Sequence, residues 1–371
     1  MEDKIMTHDF ETICKQFQWK GDFKSIRPYG DGHINDTYLV TVEYSGESMP
    51  YILQRVNHQI FKATEQLMEN IEGVTGYLVD YIIEHPIDHY QVLTLVPSQT
   101  GQSFYKDADG NYWRSYVFIQ KATGHLFAEK SSMLYEAGRA FGLFQYMLKD
   151  YPADNLHETI QGFHNTKQRY KYFITSLEKD VNQRAKLCQE EIAFTIEHQN
   201  ICTLILSEME KGSIPMRVTH NDTKINNVLL DDITGIGRCV IDLDTVMPGS
   251  VLYDFGDAIR SCGSTLEEDS ENLEEMDIDL ERFEAYTKGY LEIMKDELSS
   301  REIQLLAMSA IIMTFECGMR FLTDYLDGDT YFKVHKEKHN LIRAKNQYAF
   351  VKKMEEKLAH MEAIVQKYST T

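Results

Sequence analysis

The residues of this chain whose types and spacing could do chemistry together are His220, Asp222, Lys224 and Asn227, set as His-x-Asp-x-Lys-x-x-Asn within the stretch from Val218 to Leu230. Short apolar runs on both sides read as strands, which leaves a polar loop pinned at each end. Asp222 can accept the proton of an attacking hydroxyl, Asn227 can ligate Mg²⁺, and Lys224 can neutralise charge on a transferred phosphoryl group. A surface ion pair is the plainer role for Lys224. Mg²⁺ takes oxygen ligands and binds through few protein groups plus phosphates, so a further carboxylate should follow. Val240-Ile241-Asp242-Leu243-Asp244 supplies it, a β-branched run ending in two acids at alternate positions. Asp242 is the expected metal ligand, and Asp244 either helps hold a second metal or orients Asn227. The chemistry such a set would serve is phosphoryl transfer from ATP.

The loop has the spacing of the protein-kinase catalytic loop. With Ile241-Asp242-Leu243-Asp244 it resembles the aminoglycoside phosphotransferase and choline kinase superfamily of small-molecule kinases. Three further runs are similar to bacterial N-acetylhexosamine 1-kinases: Tyr29 to Thr37, Thr245-Val246-Met247-Pro248-Gly249, and Tyr253-Asp254-Phe255-Gly256-Asp257 with Arg260. The resemblance implies an α+β, two-lobed, protein-kinase-like fold, with a small antiparallel-sheet N-terminal lobe and a larger, mostly helical C-terminal lobe. It also implies ATP, Mg²⁺ and a small sugar acceptor phosphorylated on its anomeric 1-hydroxyl. His33, Arg320 and Tyr331 would line the sugar pocket beside Asp222. Asp254-Phe255-Gly256 spells the protein-kinase metal motif, but Asp242 lies nearer the loop and ends a strand, where that acid belongs. By resemblance Asp254 braces the loop. His220 is expected to pack and hydrogen-bond the backbone rather than to react.

Elements must position these groups. Residues 1–22 read as a helix over the small lobe. Tyr38, Val40, Val42 and Tyr44 alternate, Ser45-Gly46-Glu47 turns the chain, and Tyr51 to Val56 runs back. Gly30 and Gly32 open a degenerate glycine loop whose amides would lie over ATP phosphates; an ordinary tight turn is the alternative. The strand Ile52–Val56 has no lysine, so the phosphate anchor is Arg55 by charge or Gln54 by a hydrogen bond. Alternation lets only one of the two face the nucleotide. Phe118 and Gln120 sit where an adenine-binding hinge would run, although a plain core strand has the same composition. The lobes are expected at residues 1–120, binding nucleotide, and 121–371, carrying catalysis and the acceptor site. Helices follow near 59–81, 131–148, 156–178, 187–210, 280–296, 301–325 and 338–367. His157 and His164 are expected to cap or pack.

A net charge of −20 argues against a nucleic-acid partner, since such binders concentrate basic residues. Six cysteines without a Cys-x-x-Cys pair read as buried hydrophobes in a reducing compartment. The start, Met-Glu-Asp-Lys, has no signal-peptide character, and the apolar run Leu305–Phe315 is too short to span a bilayer. The expectation is a cytoplasmic monomer or simple homo-oligomer without a membrane partner. Arg320, on an otherwise apolar helix, either holds the sugar or pairs with Glu316, Asp324 or Asp327. Ser213-Ile214-Pro215-Met216-Arg217 also matches the core of a sulfatase maturation signature, but the match fails immediately downstream. A kinase fold without activity would need to have lost Asp222, Asn227 or Asp242, and all three are present.

Overall fold

The computed structural model describes residues 8–30 and 34–370. An N-terminal six-stranded antiparallel sheet has strands β1 (Asp22–Pro28), β2 (Asp36–Tyr44), β3 (Glu47–Val56), β4 (Leu95–Val96), β5 (Tyr105–Lys106) and β6 (Tyr112–Val117), in the order β1-β2-β3-β6-β4 with β5 on β6. The β2–β3 turn is two residues, Ser45 and Gly46, both at positive φ, the backbone that suits the twist of a tight hairpin. Among the described residues of the 1–22 span, where a longer helix was expected, the helix is the short α1 (Phe10–Cys14). Its Phe10 and Ile13 join Tyr38, Val40, Val42, Tyr51, Leu53 and Trp113 in a core on one face of the sheet. Helix α2 (Thr64–Glu84) belongs with the larger core shared by both lobes.

After Val117 the chain leaves this sheet, and β7 (Ala122–Gly124) pairs instead with β9 in a second sheet of order β10-β9-β7. The rest is mainly helical: α3 (Ser131–Met147), α4 (Thr166–Lys179), α5 (Gln189–Glu197), α6 (Leu204–Glu210), α7 (Val251–Cys262), α8 (Leu280–Met294), α9 (Ser300–Asp327) and α10 (His339–Ser369). Strand β8 (Arg217–Thr219) pairs with β11 (Met247–Gly249), and β9 (Val228–Asp231) with β10 (Gly237–Val240). The protein is thus a two-lobed α+β molecule, with an antiparallel sheet at the N-terminal end and helices over most of the remainder. The expected helix at 156–178 starts ten residues late, at the Asn165 cap. The one expected at 187–210 is broken by a 3₁₀ stretch, His198–Thr203.

Helix α9 is the axis of the C-terminal lobe. A reciprocal cap opens it, Glu302 N–H donating to Ser299 Oγ and Ser299 N–H to the Glu302 carboxylate, and Gly328 in the left-handed region closes it. It is long and apolar enough to cross a membrane by composition, but 83% of its apolar window is buried inside the molecule, as in a core helix. Glu302 also pairs with Arg217 at 3.0 Å, tying strand β8 to the start of α9. The arginine of the sulfatase-like pattern is therefore occupied structurally.

Candidate functional site

Strand β8 delivers the chain into the loop 220–227, and one buried acid grips it. Asp254, on the first turn of α7, accepts the N–H of His220 at 2.9 Å and of Asn221 at 2.7 Å. Its backbone carbonyl takes the Thr223 hydroxyl at 2.5 Å. Gln145 of α3 donates to the same carboxylate at 2.7 Å and is itself held by Tyr290. Burial raises the Asp254 pKa, and these donors, with His220, only partly oppose that. Asp254 is committed to the loop backbone, as a brace must be. Gly256, two residues on, is needed for a separate reason. A Cβ there would lie 2.5 Å from Ser309 O and from the Met313 side chain, so α7 and α9 pack closely only without one.

His220 is fully buried, edge-on to Phe141 and Phe144. Its Nε2 lies 2.9 Å from the Ile241 carbonyl and its Nδ1 takes the Asp222 N–H at 3.3 Å, which together select the tautomer protonated on Nε2. Every polar atom of the ring is therefore spent on backbone. Asn221 sits at positive φ and donates to Thr245 O at 2.9 Å, which joins the loop to the segment carrying Asp242.

Asp222 faces the cleft. Asn227, at the end of a 3₁₀ turn (Ile225–Asn227), donates from Nδ2 to the Asp222 carbonyl at 2.8 Å and to its carboxylate at 3.1 Å. Among the described residues that leaves the Asn227 amide oxygen without a hydrogen bond. Lys224 Nζ lies 2.9 Å from the other Asp222 oxygen, and this partner raises the lysine pKa against burial. Asp242, also at positive φ, closes the group. Its side chain is exposed, yet the cleft walls strip part of its hydration and Asp244 and Asp222 add like charge. Its pKa is raised in consequence, despite Arg114 and Lys224. The two neighbouring carboxylates are the firmer cause, since they persist however wet the cleft is. Crowded acids beside a free amide oxygen are a donor set that suits a hard divalent cation. Among the described residues no cluster of three or more His, Cys, Asp or Glu holds a metal by itself, so the fit is to an ion that takes part of its shell from phosphates.

Asp244 is placed differently. One oxygen lies 2.5 Å from Arg114 Nη1 and the other takes the Asn35 amide at 2.6 Å. The Arg114 N–H does not point along that contact, so it is an ion pair without a well-formed hydrogen bond. Arg114 is a residue the sequence reading passed over. Strand register explains it: Gln54 and Arg114 are cross-strand partners, joined by Arg114 Nε to Gln54 Oε1 at 3.0 Å, and share the face towards the cleft. Arg55 lies on the opposite face with Tyr51 and Leu53, bonded to Asp36 and, more weakly, to Asn111. Alternation thus turns Arg55 to the face opposite Gln54, and the buried cation on the Gln54 side is Arg114. Nothing in the sequence near residue 114 marks it. Only the sheet order β3-β6 brings it in.

Gly30 precedes the loop at φ 73°, and a Cβ there would meet nothing within 4 Å among the described residues. Gly32 and His33 lie outside the described residues. Phe118 meets Tyr29 edge-on at 5.6 Å, and the Gln120 carbonyl takes Arg238 Nη1 at 3.3 Å. Both also border a cavity of about 610 Å³ between α2 and the segment 117–121, but neither Asp222 nor Asp242 lines that space. His157 pairs with Glu69, and His164 with Glu316.

Arg320 and Tyr331 come together in a second cavity, of about 390 Å³, between α4 and the end of α9. Arg320 makes no ion pair among the described residues. Its guanidinium instead lies 5.5–5.9 Å from the rings of Phe163, Tyr331 and Phe332. Two of the three acids expected to pair with it are engaged elsewhere, and the third, Asp327, lines the same cavity. Glu316 holds His164 and Thr166, and Asp324 takes the N–H groups of Thr330, Tyr331 and Phe332 with the Asn340 amide. As with the first cavity, neither Asp222 nor Asp242 lines this one.

A family model described as "Phosphotransferase enzyme family" matches residues 25–289, well over half of the chain. Among solved structures, a microcompartment-associated aminopropanol kinase is 18% identical, with a TM-score of 0.61 over 95% of this chain and 98% of its own. An ethanolamine kinase of Plasmodium vivax is 13% identical, with a TM-score of 0.52 over 87% and 82%. The GDP complex of aminoglycoside 2'-phosphotransferase-IIIa is 14% identical, with a TM-score of 0.53 over 88% and 93%. At these identities the likeness is one of fold.

Proposed function

The chain belongs to the phosphotransferase enzyme family, and from that premise we propose that it moves the terminal phosphoryl group of ATP to the anomeric hydroxyl of an N-acetylhexosamine, giving the sugar 1-phosphate. The observation that carries phosphoryl transfer is the loop 220–227, gripped by Asp254 so that Asp222, Lys224 and Asn227 stand together beside Asp242.

In this reading residues 1–120 hold the nucleotide, with Gly30 and Gly32 at the phosphates and Phe118 and Gln120 at the adenine. Residues 121–371 carry catalysis and the acceptor site. The GDP-bound relative supports a nucleotide as phosphoryl donor. Arg114 supplies the N-lobe cation that β3 lacks. Asn227 and Asp242 would hold Mg²⁺, which when bound neutralises phosphate charge; Asp244, bonded to Arg114 and Asn35, holds the two lobes in register around it. Asp222 orients the acceptor hydroxyl and takes its proton late. An anomeric hydroxyl, more acidic than other sugar hydroxyls, suits so weak a base. Lys224 passes from Asp222 to the transferred group as charge develops there. Positioning and charge neutralisation supply most of the rate.

The sugar acceptor rests on the resemblance between Tyr29 and Thr37 and on the unpaired Arg320 with Tyr331; His33 joins them by resemblance alone. A guanidinium only donates hydrogen bonds, which suits sugar oxygens. The second reading, an amino-alcohol or aminoglycoside acceptor, has the fold relatives in its favour. Against it, an ammonium would have to sit beside Arg320. The enzyme acts in the cytoplasm on a small molecule, as a monomer or simple homo-oligomer, without nucleic acid or membrane.

The test is ADP release over N-acetylhexosamines, hexoses, choline, ethanolamine and an aminoglycoside, with phosphorus NMR of the product. The expected product is a phosphate coupled to the anomeric proton and lost in mild acid. A 6-phosphate, or turnover on the amines alone, overturns the acceptor assignment and leaves phosphoryl transfer standing.

A further inference from the structure

The cavity at the end of α9 holds a second guanidinium, Arg169 of α4. Among the described residues it makes one hydrogen bond, Nη2 to the Phe163 carbonyl at 3.1 Å, and no ion pair; its buried Nε has no partner. Two half-buried arginines face one small space without a carboxylate bound to either, so their like charges and the Arg169 Nε–H are left uncompensated among the described residues. Burial depresses the Arg169 pKa, and repulsion from Arg320 adds more than Glu316 gives back.

The acids around the pair show how this state is maintained. Glu316, one turn before Arg320 on α9, is captured at 2.9 Å by His164 and at 2.5 Å by Thr166. Asp324 is saturated by three backbone N–H groups and Asn340. Asp327 and Lys179 border the cavity, and among the described residues neither forms an ion pair with an arginine there or with the other. The ring faces of Phe163, Tyr331 and Phe332 limit where Arg320 can swing. The cavity is within the range of about 300–1,000 Å³ usual for small-molecule sites.

We propose that Arg169 and Arg320 together read an oxygen on the acceptor that can only accept hydrogen bonds, the carbonyl of the N-acyl group, and that this pair rejects a free amine at the same position. The inference rests on the sugar-kinase reading above and names the group that reading leaves unassigned. A guanidinium carries donors and no acceptor, so it satisfies a carbonyl or carboxylate fully and a hydroxyl in part. An ammonium meets it donor to donor, with like charge.

The test compares kcat/KM for an N-acetylhexosamine, the matching hexosamine, hexose and hexuronic acid in the wild type, Arg169→Gln and Arg169→Lys. A ratio of two acceptors measured on one preparation is independent of the fraction folded, so partial loss of structure does not mimic the effect. The wild type is expected to prefer the N-acetylhexosamine over the hexosamine. Arg169→Gln should narrow that preference by about tenfold or more, the scale of one buried hydrogen bond to a charged group, through acceptor KM with kcat and the KM for ATP nearly unchanged. Arg169→Lys should fall between the two. An unchanged ratio in Arg169→Gln, with N-acetylhexosamines still turned over, overturns this inference alone. A hexuronic acid as the best acceptor, with its preference over the hexose lost in Arg169→Gln, keeps the arginine pair and overturns both the N-acyl assignment and the sugar identity. Turnover of amines only overturns both readings.

Discussion

At the scale of single residues, the two aspartates of the loop region divide chemistry from support. Asp222 spends its carboxylate on Asn227 and Lys224, both of which can release it, and faces the cleft. Asp254 spends its carboxylate on two backbone N–H groups and Gln145 and is fully enclosed. Asp222→Asn should therefore keep the melting temperature within a few degrees and lower kcat by about 10²–10⁴, the usual worth of a positioned base. Asp254→Ala strands three buried donors at about 1 kcal/mol or more each, so it should lose about 3 kcal/mol of stability before any kinetic effect is read. Thermal melts set beside single-turnover rates separate the two. Near-wild-type turnover in Asp222→Asn would sink the assignment of the loop. The loop itself was legible in the chain, because the spacing of His220, Asp222 and Asn227 is a local property of one short segment; the bracing role of Asp254 was expected from the resemblance alone.

At the scale of elements, the helical lobe depends on contacts that spacing alone does not show. The expected helix at 187–210 breaks at His198, where the ring stacks on Phe315, packs on Phe194 and takes a hydrogen bond with Glu355 of α10 at 3.0 Å. That bond raises the His198 pKa, against burial and with help from the Phe194 carbonyl. A histidine raised in the folded state stabilises fully below its unfolded value of about 6.5. The gain is lost as pH rises through the higher folded value. Glu355 is partly exposed, so salt should weaken the effect. His198→Asn is expected to lower the melting temperature more at pH 6 than at pH 9, where only the ring packing is missed. Equal losses at both pH values would mean the ion pair contributes nothing.

At the scale of the whole molecule, the lobes meet at Asp244. Arg114 from β6 and Asn35 from the segment before β2 both reach it, and Asn35 also takes the Asn57 N–H, so one C-lobe acid gathers three N-lobe positions. The Arg114–Asp244 pair is almost completely buried. Removing one partner leaves an uncompensated charge, so Arg114→Met should cost about 3–5 kcal/mol. Adding Asp244→Leu should restore most of that stability, since apolar replacement of both partners of a buried pair is often neutral. If Arg114 serves the nucleotide, the double variant should still show a KM for ATP well above wild type. Recovery of stability and ATP affinity together would reduce the pair to a structural link.

What the sequence determined by itself was whatever is carried by contiguous spacing. The loop 220–227, the acids at 242 and 244, the Ser45–Gly46 turn and the long helices are patterns within one window, where backbone geometry converts separation along the chain directly into direction. What the tertiary structure decided was which distant groups share a face. Arg114 became the cleft cation because β6 lies beside β3, which also sent Arg55 to the far side. Arg320 has no ion pair among the described residues, and Glu316, its neighbour by one helical turn, is held instead by His164 and Thr166, some 150 positions earlier. Spacing along α9 predicts that neighbour correctly. Which of two possible partners a buried carboxylate takes is settled by hydrogen bonds from another helix, and no local pattern contains them.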